Sequence, residues 1–505
     1  MDKTHGIGKK LEPLFNPRAI AVIGATNNSN KWGFSTITSA IDGFKGPVYP
    51  VNILEKEIIG KKAYKSVKDI PKEQPVDLAI IVIPSIRVAQ VVQDCLEKGV
   101  KACVIISAGF AEIGEEGLAL QDEVMAIARK GDIRIVGPNC MGLWSATSEL
   151  RAFMFPLRVK AGPIAFVSQG GNVGGAIVGS AYDRGVGFQR YVSCGCTADI
   201  QIEDYIEHFG LDPEVKVILA YIEGLNDGQR FIEKVKKVTR KKPVIIIKPG
   251  KTDAAAKAIS SHSGALAGSD LLYDVVFKGA GVIRADTSEE LLDYAIGFLL
   301  QPLPENNRVV IVTPGGSYGV LCADACAILN LDVIDLPAKT IDEFDKIFPP
   351  RWSRGNPVDP AGDRDFPAYF KAAEMLLELD ETDAIFFMGF GDISGVPDDF
   401  GEHMENFKDA NGNYDAFTQA LLNIGSQFPK LIHKWIKKYK KPVLTTTFTQ
   451  ETPSLEEGVL HPYPSPVRAA RVLAALYEYK VYLEKEGHYK DKPFNPMEFW
   501  WLNNK

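Results

Sequence analysis

Short apolar runs recur along the chain and alternate with longer stretches of helical period. The first series is Ala19–Ile23, Val48–Val51, Asp77–Ile83, Ala102–Ala108 and Ile133–Gly137. Between them lie "VAQVVQDCLEKG" and "GLALQDEVMAIARKG", whose apolar positions repeat every three to four residues. A second series begins at Pro163 with "PIAFVS" and continues through "FQRYVS", "VKVILAYI" and "PVIIIK". After the loop "LLQPLPENN" a third follows, with "RVVIVT", "LDVIDL", "DAIFFM" and "PVLTTT". It closes on the amphipathic "SPVRAARVLAALYEYKVYLEKEG". Unbroken apolar strands alternating with helices predict βαβ units around parallel sheets. The expected fold is α/β, with three consecutive doubly wound parallel-sheet domains over 1–150, 151–302 and 303–505.

Composition narrows the classes. A chain of 505 residues exceeds a single core and suits about three domains. A net charge of −7 argues against a nucleic-acid or anionic-membrane partner. No apolar run approaches the roughly 20 residues that span a bilayer. The opening "MDKTHGIGKK" lacks the apolar centre of a signal peptide. Seven cysteines show no zinc-ligand spacing, and we expect no metal site and a reducing, cytoplasmic setting.

Each block opens with a strand, a glycine-rich turn and a helix. Such a turn gathers backbone N–H groups and the positive end of a helix dipole, which suits phosphate. The turns run from Gly24 to Gly33, from Ser168 to Gly175 ("SQGGNVGG") and from Thr313 to Val320 ("TPGGSYGV"). One alone is as easily a tight connection; three in register are more suggestive. Two similar patterns fail. The first turn lacks close G-x-G-x-x-G spacing, and Asn52 stands where an acid would hold a nicotinamide cofactor's ribose, so NAD is disfavoured. "PGKTD" lacks the earlier glycine of a P-loop, because position 245 is Ile245.

His262 lies in "AISSHSGALAGSD", among Ser261, Ser263, Gly264 and Ala265. Together with "NPRAIAVIGA", "ISAGFAEIGEEG", "GPNCMG", "FVSQGGNVG", "YIEGLNDG" and "NPVDPAGD", this stretch resembles a known family. The family is the α subunits, or α parts, of the nucleoside-diphosphate-forming acyl-CoA synthetases, relatives of succinyl-CoA synthetase. The resemblance runs from roughly Leu14 to Glu484. It implies a Rossmann-like CoA-binding domain followed by two flavodoxin-like domains. It also implies reversible conversion of acyl-CoA, nucleoside diphosphate and phosphate to acid, CoA and nucleoside triphosphate.

On that resemblance His262 is the phosphorylated histidine and Glu223 the acid that orients it. An imidazole nitrogen is nucleophilic near neutral pH, and a carboxylate on the other nitrogen sets the tautomer. Gly170, Gly171, Gly315 and Gly316 would cradle phosphate. Coenzyme A would lie over Gly24, Thr26, Asn27 and Gly33, then Val51 and Asn52, then Ile83, Pro84 and Ser85. Ser107, Ala108, Gly109 and Asn139 would follow the pantetheine arm. Cys140 is either near the CoA thiol or an inert core residue. The chain departs from the family pattern at Gly170, usually serine, at Cys196, usually asparagine, and at Ser263, usually threonine.

No nucleotide-triphosphate site is visible in the chain. The resemblance therefore implies a separate ATP-grasp β subunit holding ADP or ATP with Mg2+, a small carboxylic acid or acyl-CoA as substrate, and an oligomeric assembly. Two other classes compete: a CoA-binding regulator that has lost turnover, and a nicotinamide-dependent dehydrogenase. Retention of both His262 and Glu223 disfavours the first, and Asn52 disfavours the second.

Overall fold

The computed structural model describes residues 11–255, 270–363, 365–389, 408, 416–447 and 461–489. The chain divides into two compact units, Met1–Tyr182 with Gly187–Leu291, and Asp183–Val186 with Leu292–Lys505.

The first unit holds two large sheets. Strands β1 (Ile20–Ile23), β2 (Val48–Val51), β5 (Leu78–Ile81), β6 (Ala102–Ile105) and β7 (Arg134–Val136) form a parallel sheet in the order β2-β1-β5-β6-β7. A small hairpin, β3 (Glu57–Ile58) and β4 (Lys61–Lys62), lies between β2 and β5 in the chain. Side-chain alternation divides each strand between two cores. Ile20, Val22, Leu78 and Ile80 enter one; Ala21, Ile23, Ala79 and Ile81 enter the other. Both faces are covered, which explains why these strands read as unbroken apolar runs.

The second sheet comprises β8 (Gly142–Ser145), β9 (Leu150–Phe153), β10 (Ile164–Ser168), β11 (Phe188–Ser193), β12 (Val217–Tyr221), β13 (Val244–Ile247) and β14 (Ile283–Ala285). Its order is β14-β13-β12-β10-β11-β8-β9. It is parallel except for β8 and β9, which add an antiparallel extension beyond β11. The apolar pattern of the sequence does not predict this extension, and residue 150 falls at the start of β9. Ala165, Val167, Ile218 and Ala220 join the same core as Ile20 and Leu78, so these two sheets share one hydrophobic interior.

The second unit contains β15 (Arg308–Val312), β16 (Asp332–Val333), β17 (Ala384–Phe387) and β18 (Val443–Thr445), parallel in the order β16-β15-β17-β18. The helix Pro466–Lys485 matches the amphipathic stretch read from the sequence, with Ser465 capping its first turn. Its Arg468 and the nearby Arg184 converge on Asp293, whose side chain is 2% exposed. A carboxylate taken this far out of water needs such partners.

In each of the three large sheets the chain reverses its winding beside the first strand of the parallel part: at β1/β5, β10/β12 and β15/β17. Such reversals leave a crevice at the carboxyl ends of the strands, where α/β proteins place ligands. All three glycine turns lie there. At the opposite, amino ends, two of these strand pairs carry the same fastening. Arg18 donates its backbone N–H (2.9 Å) and two guanidinium N–H groups (both 2.8 Å) to Asp77. Arg308 does the same to Asp383, at 3.2, 2.7 and 3.0 Å.

Candidate functional site

At the β1/β5 crevice, Gly24 has φ +91°, and a Cβ there would lie 2.1 Å from the carbonyl oxygen of Val82. A Cβ on Gly33 would lie 2.0 Å from the carbonyl oxygen of Gly24. Backbone packing alone therefore demands glycine at both. Gly24 N–H reaches the Val51 carbonyl at 2.9 Å, and the Asn52 side chain donates to Ala25 O at 2.7 Å. Asn52 also accepts from the N–H groups of Leu54 and Glu55, so it braces two turns against each other. The next acid, Glu55, is a residue the sequence reading missed. It accepts from the Thr26 hydroxyl (2.5 Å), Asn27 N–H (3.0 Å) and the Asn27 side chain (2.7 Å). The Thr26 hydroxyl above all, with Asn27 and Lys31, holds its carboxyl below the ordinary range against a smaller effect of burial. An acid thus does reach the first turn, three positions beyond the one inspected in the sequence.

The neighbouring loops complete this end of the sheet. Ile83 N–H donates to the Ser107 hydroxyl at 3.2 Å, and that hydroxyl donates back to the Ile83 carbonyl. Pro84 and Ser85 begin a short turn of helix, and a Cβ on Gly109 would lie 2.8 Å from Ser85 Oγ. Ala108 is exposed. Asn139, also exposed and at φ +55°, donates its N–H to Ser107 O at 3.0 Å. Cys140 is buried, its thiol directed to Ile105 O (3.3 Å) and pushed up to about 12 by that burial. It is a core residue.

At the β10/β12 crevice, Gln169 ties the two loops together. Its side-chain oxygen accepts from Glu223 N–H (2.5 Å) and Gly224 N–H (3.1 Å), and its amide donates to Gly224 O (3.2 Å). Glu223 is 6% exposed. A Cβ on Gly170 would meet the Tyr221 ring at 2.9 Å and a Glu223 carboxylate oxygen at 3.4 Å. Gly171 opens the helix Gly171–Asp183, with Met141 Sδ 2.3 Å from where its Cβ would stand. The Cys196 thiol lies 3.6 Å from Glu112 Oε2. It is pushed up to about 12, first by burial, then by Glu112, with Glu223 adding to it. A carboxylate is favoured at the amino end of a helix, and it can orient an imidazole and balance the positive charge the ring takes on. His262 itself, with Ser261, Ser263, Gly264 and Ala265, lies outside the described residues.

At the β15/β17 crevice, Gly315 faces open space and Gly316 opens the helix Gly316–Ile328. A Cβ on Gly316 would lie 2.7 Å from Asp359 Oδ2. The Asp359 carboxylate therefore stands at the amino end of this helix, and phosphate entering the turn would meet it. Asp359 lies within "NPVDPAGD", where no local pattern marks it as a neighbour of the glycine turn.

Known proteins are similar to this one over most of the chain. The α subunit of acetate–CoA ligase [ADP-forming] II from Pyrococcus furiosus is 44% identical over 375 residues, which are 74% of this chain and 81% of that one. The α subunit of its ligase I is 37% identical across 94% of this chain and 99% of that one. This chain belongs to the family of ADP-forming acyl-CoA ligases.

The ligase is an acid–thiol ligase α chain, and its fold agrees with a solved relative. The dinucleotide-forming acetyl-coenzyme A synthetase 1 of Ca. Korarchaeum cryptofilum, in complex with phosphate and ADP, superposes with a TM-score of 0.78 at 32% identity. The match covers 95% of this chain and 98% of that one. Three family models match in turn: a CoA binding domain over 18–145, a succinyl-CoA ligase like flavodoxin domain over 161–298 and a Ligase-CoA domain over 309–410. Among the described residues of the ligase, no helix is long and apolar enough to cross a membrane.

Proposed function

We propose that the ligase transfers a phosphoryl group through His262, with Glu223 as the orienting acid. A phosphate oxygen attacks the thioester carbonyl of a small acyl-CoA; the C–S bond breaks and CoA leaves as thiolate. The imidazole of His262 then attacks phosphorus in the acyl phosphate, and the P–O bond to the acyl oxygen breaks to release the carboxylate. Phosphohistidine finally passes its phosphoryl group to the terminal phosphate of ADP. Every step is reversible. The observation that carries this reading is Glu223, buried, with its backbone N–H held by Gln169 and its carboxylate beside Gly170 at the start of a helix. A carboxylate there favours one tautomer of a facing imidazole and offsets the charge of its phosphorylated form.

Coenzyme A sits across the β1/β5 crevice in this reading, on the turn residues from Gly24 to Asn139. Gly170 and Gly171 bind phosphate in one turn, and Gly315 and Gly316, beside the Asp359 carboxylate, in another. Nucleotide and Mg2+ bind to an ATP-grasp β subunit, in keeping with relatives named as α subunits, and the two chains work as an oligomer. The seven unpaired thiols suit a reducing compartment, the cytoplasm. Acetate is the first acid to test, since both P. furiosus relatives are named for it. Incubating the chain with acetyl-CoA, or with branched, aryl and hydroxyacyl-CoAs, and radiolabelled phosphate should give an acid-labile, base-stable phosphoprotein. Equal labelling of His262→Ala would remove the proposal.

A further inference from the structure

A buried cation lies one strand away from Glu223. Lys248 follows β13, is 3% exposed, and places its ammonium 4.3 Å from the centre of the Tyr273 ring. The same ammonium donates to Pro249 O. Tyr273 is buried on the helix Asp270–Ala280, and its hydroxyl oxygen accepts from Leu225 N–H at 3.3 Å, two residues beyond Glu223. Arg284, on β14, donates to Lys248 O at 3.3 Å and pairs with both Asp270 and Asp274. Lys248 and Asp270 flank residues 256–269, the stretch that contains His262. One guanidinium therefore joins the chain before that stretch to the chain after it, and one tyrosine joins the same place to the Glu223 loop.

We propose that Lys248 and Tyr273 are positioning residues for phosphoryl transfer, holding the Glu223 loop in register with the chain on either side of the His262 stretch. The inference rests on the proposed roles of His262 and Glu223. An ammonium in a nearly water-free position is costly, and an apolar side chain would fill the space at lower cost. The ring face and the carbonyl offset part of that cost and fix where the charge stands. Burial pulls the Lys248 pKa down and nearby Arg284 adds to this, while Asp270 and Glu223 oppose it. The lysine is thus in the electrostatic field of the orienting acid as well as mechanically joined to its loop.

The test compares the full-length wild type with K248M, K248R and Y273F. CoA affinity, thermal midpoint and the rate of phosphoprotein formation are measured, using radiolabelled phosphate and whichever acyl-CoA labels the wild type best. K248M should slow labelling by about 10²-fold, the scale of a small misplacement of reacting groups, with CoA affinity unchanged. K248R keeps the charge and stacks on the ring, and should recover most of the rate. Y273F keeps the ring but loses the acceptor for Leu225, and should slow labelling by about tenfold. Labelling of K248M at the wild-type rate would overturn the inference. So would loss of CoA affinity and thermal stability in K248M that K248R fails to restore, because that pattern marks a general folding role. A wild type that no acyl-CoA labels would instead remove the proposed function, and the inference with it.

Discussion

Gly170 and Glu223 face each other across the β10/β12 reversal, so closely that a Cβ on residue 170 would stand 3.4 Å from the carboxylate and 2.9 Å from the Tyr221 ring. A methyl group there must displace the ring, which stands beside the acid. We expect Gly170→Ala to slow phosphoprotein formation by roughly tenfold or more while leaving CoA affinity unchanged, as expected when reacting groups are displaced. Single-turnover labelling beside calorimetry separates the two effects. An unchanged labelling rate would show that the close approach has no bearing on transfer.

Glu223→Gln keeps the size and the hydrogen-bonding reach of the side chain but removes its charge. The charged, phosphorylated imidazole would lose its counter-ion. Labelling of His262 should slow by about 10²-fold, the scale of losing a proton-handling or orienting group. Quench-flow with acid and base work-up reads it. A variant as fast as wild type would dismiss Glu223 as the orienting acid.

The first crevice should take CoA and not NAD. Calorimetry on the full chain should show heat with CoA and none with NAD; the reverse result would return the dehydrogenase reading. Gly24→Ala places a methyl group against Val82 O at a positive φ. It should lower stability by about 1–3 kcal/mol, the usual cost of a strained backbone position, and weaken CoA binding with it.

The Arg18–Asp77 pair makes stability depend on pH. The Arg18 guanidinium holds the Asp77 carboxyl below its ordinary value, against an opposing effect of burial. A depressed carboxyl pKa stabilises the fold above the unfolded value of about 3.9, and the contribution fades as pH falls through the folded value. Asp77→Asn should therefore lower the thermal midpoint at pH 7, and the gap to wild type should narrow below about pH 4. A gap that stays constant as the pH falls well below 4 would contradict the linkage.

Without a β subunit the chain should not take phosphate from ATP. Labelled ATP with Mg2+ should leave His262 unmarked until the partner is added. The interface with that partner should be of the permanent kind, about 2,000 Å² or more. Strong labelling by the chain alone would mean that it carries a nucleotide site of its own.

Much of the architecture was readable because Leu78–Ile81 or Val244–Ile247 are buried on both faces and leave no polar position to blur the signal. The strands that escaped notice are of another kind. "GLWS" and "LRAF" mix glycine, serine and arginine with apolar residues, and "IRA" is three residues long. Glu223 and the glycine turns were visible through local motifs. Glu55, Asp359 and the Lys248–Tyr273 contact were not, because each acts on residues far along the chain. Thr26 and Glu55 are 29 apart, and Leu225 and Tyr273 are 48 apart. Such meetings are set by strand order, and the reversal at β10/β12 is not written in any single motif.

The two arginine–aspartate fastenings divide the labour of the strands they join. Arg18–Asp77 and Arg308–Asp383 grip the amino ends of β1/β5 and β15/β17, while the glycine turns occupy the carboxyl ends. On the proposed function, the charged fastenings therefore stand at the far end of these strands from the turns that would meet ligand. An engineer can therefore alter either fastening without placing a new side chain in a glycine turn.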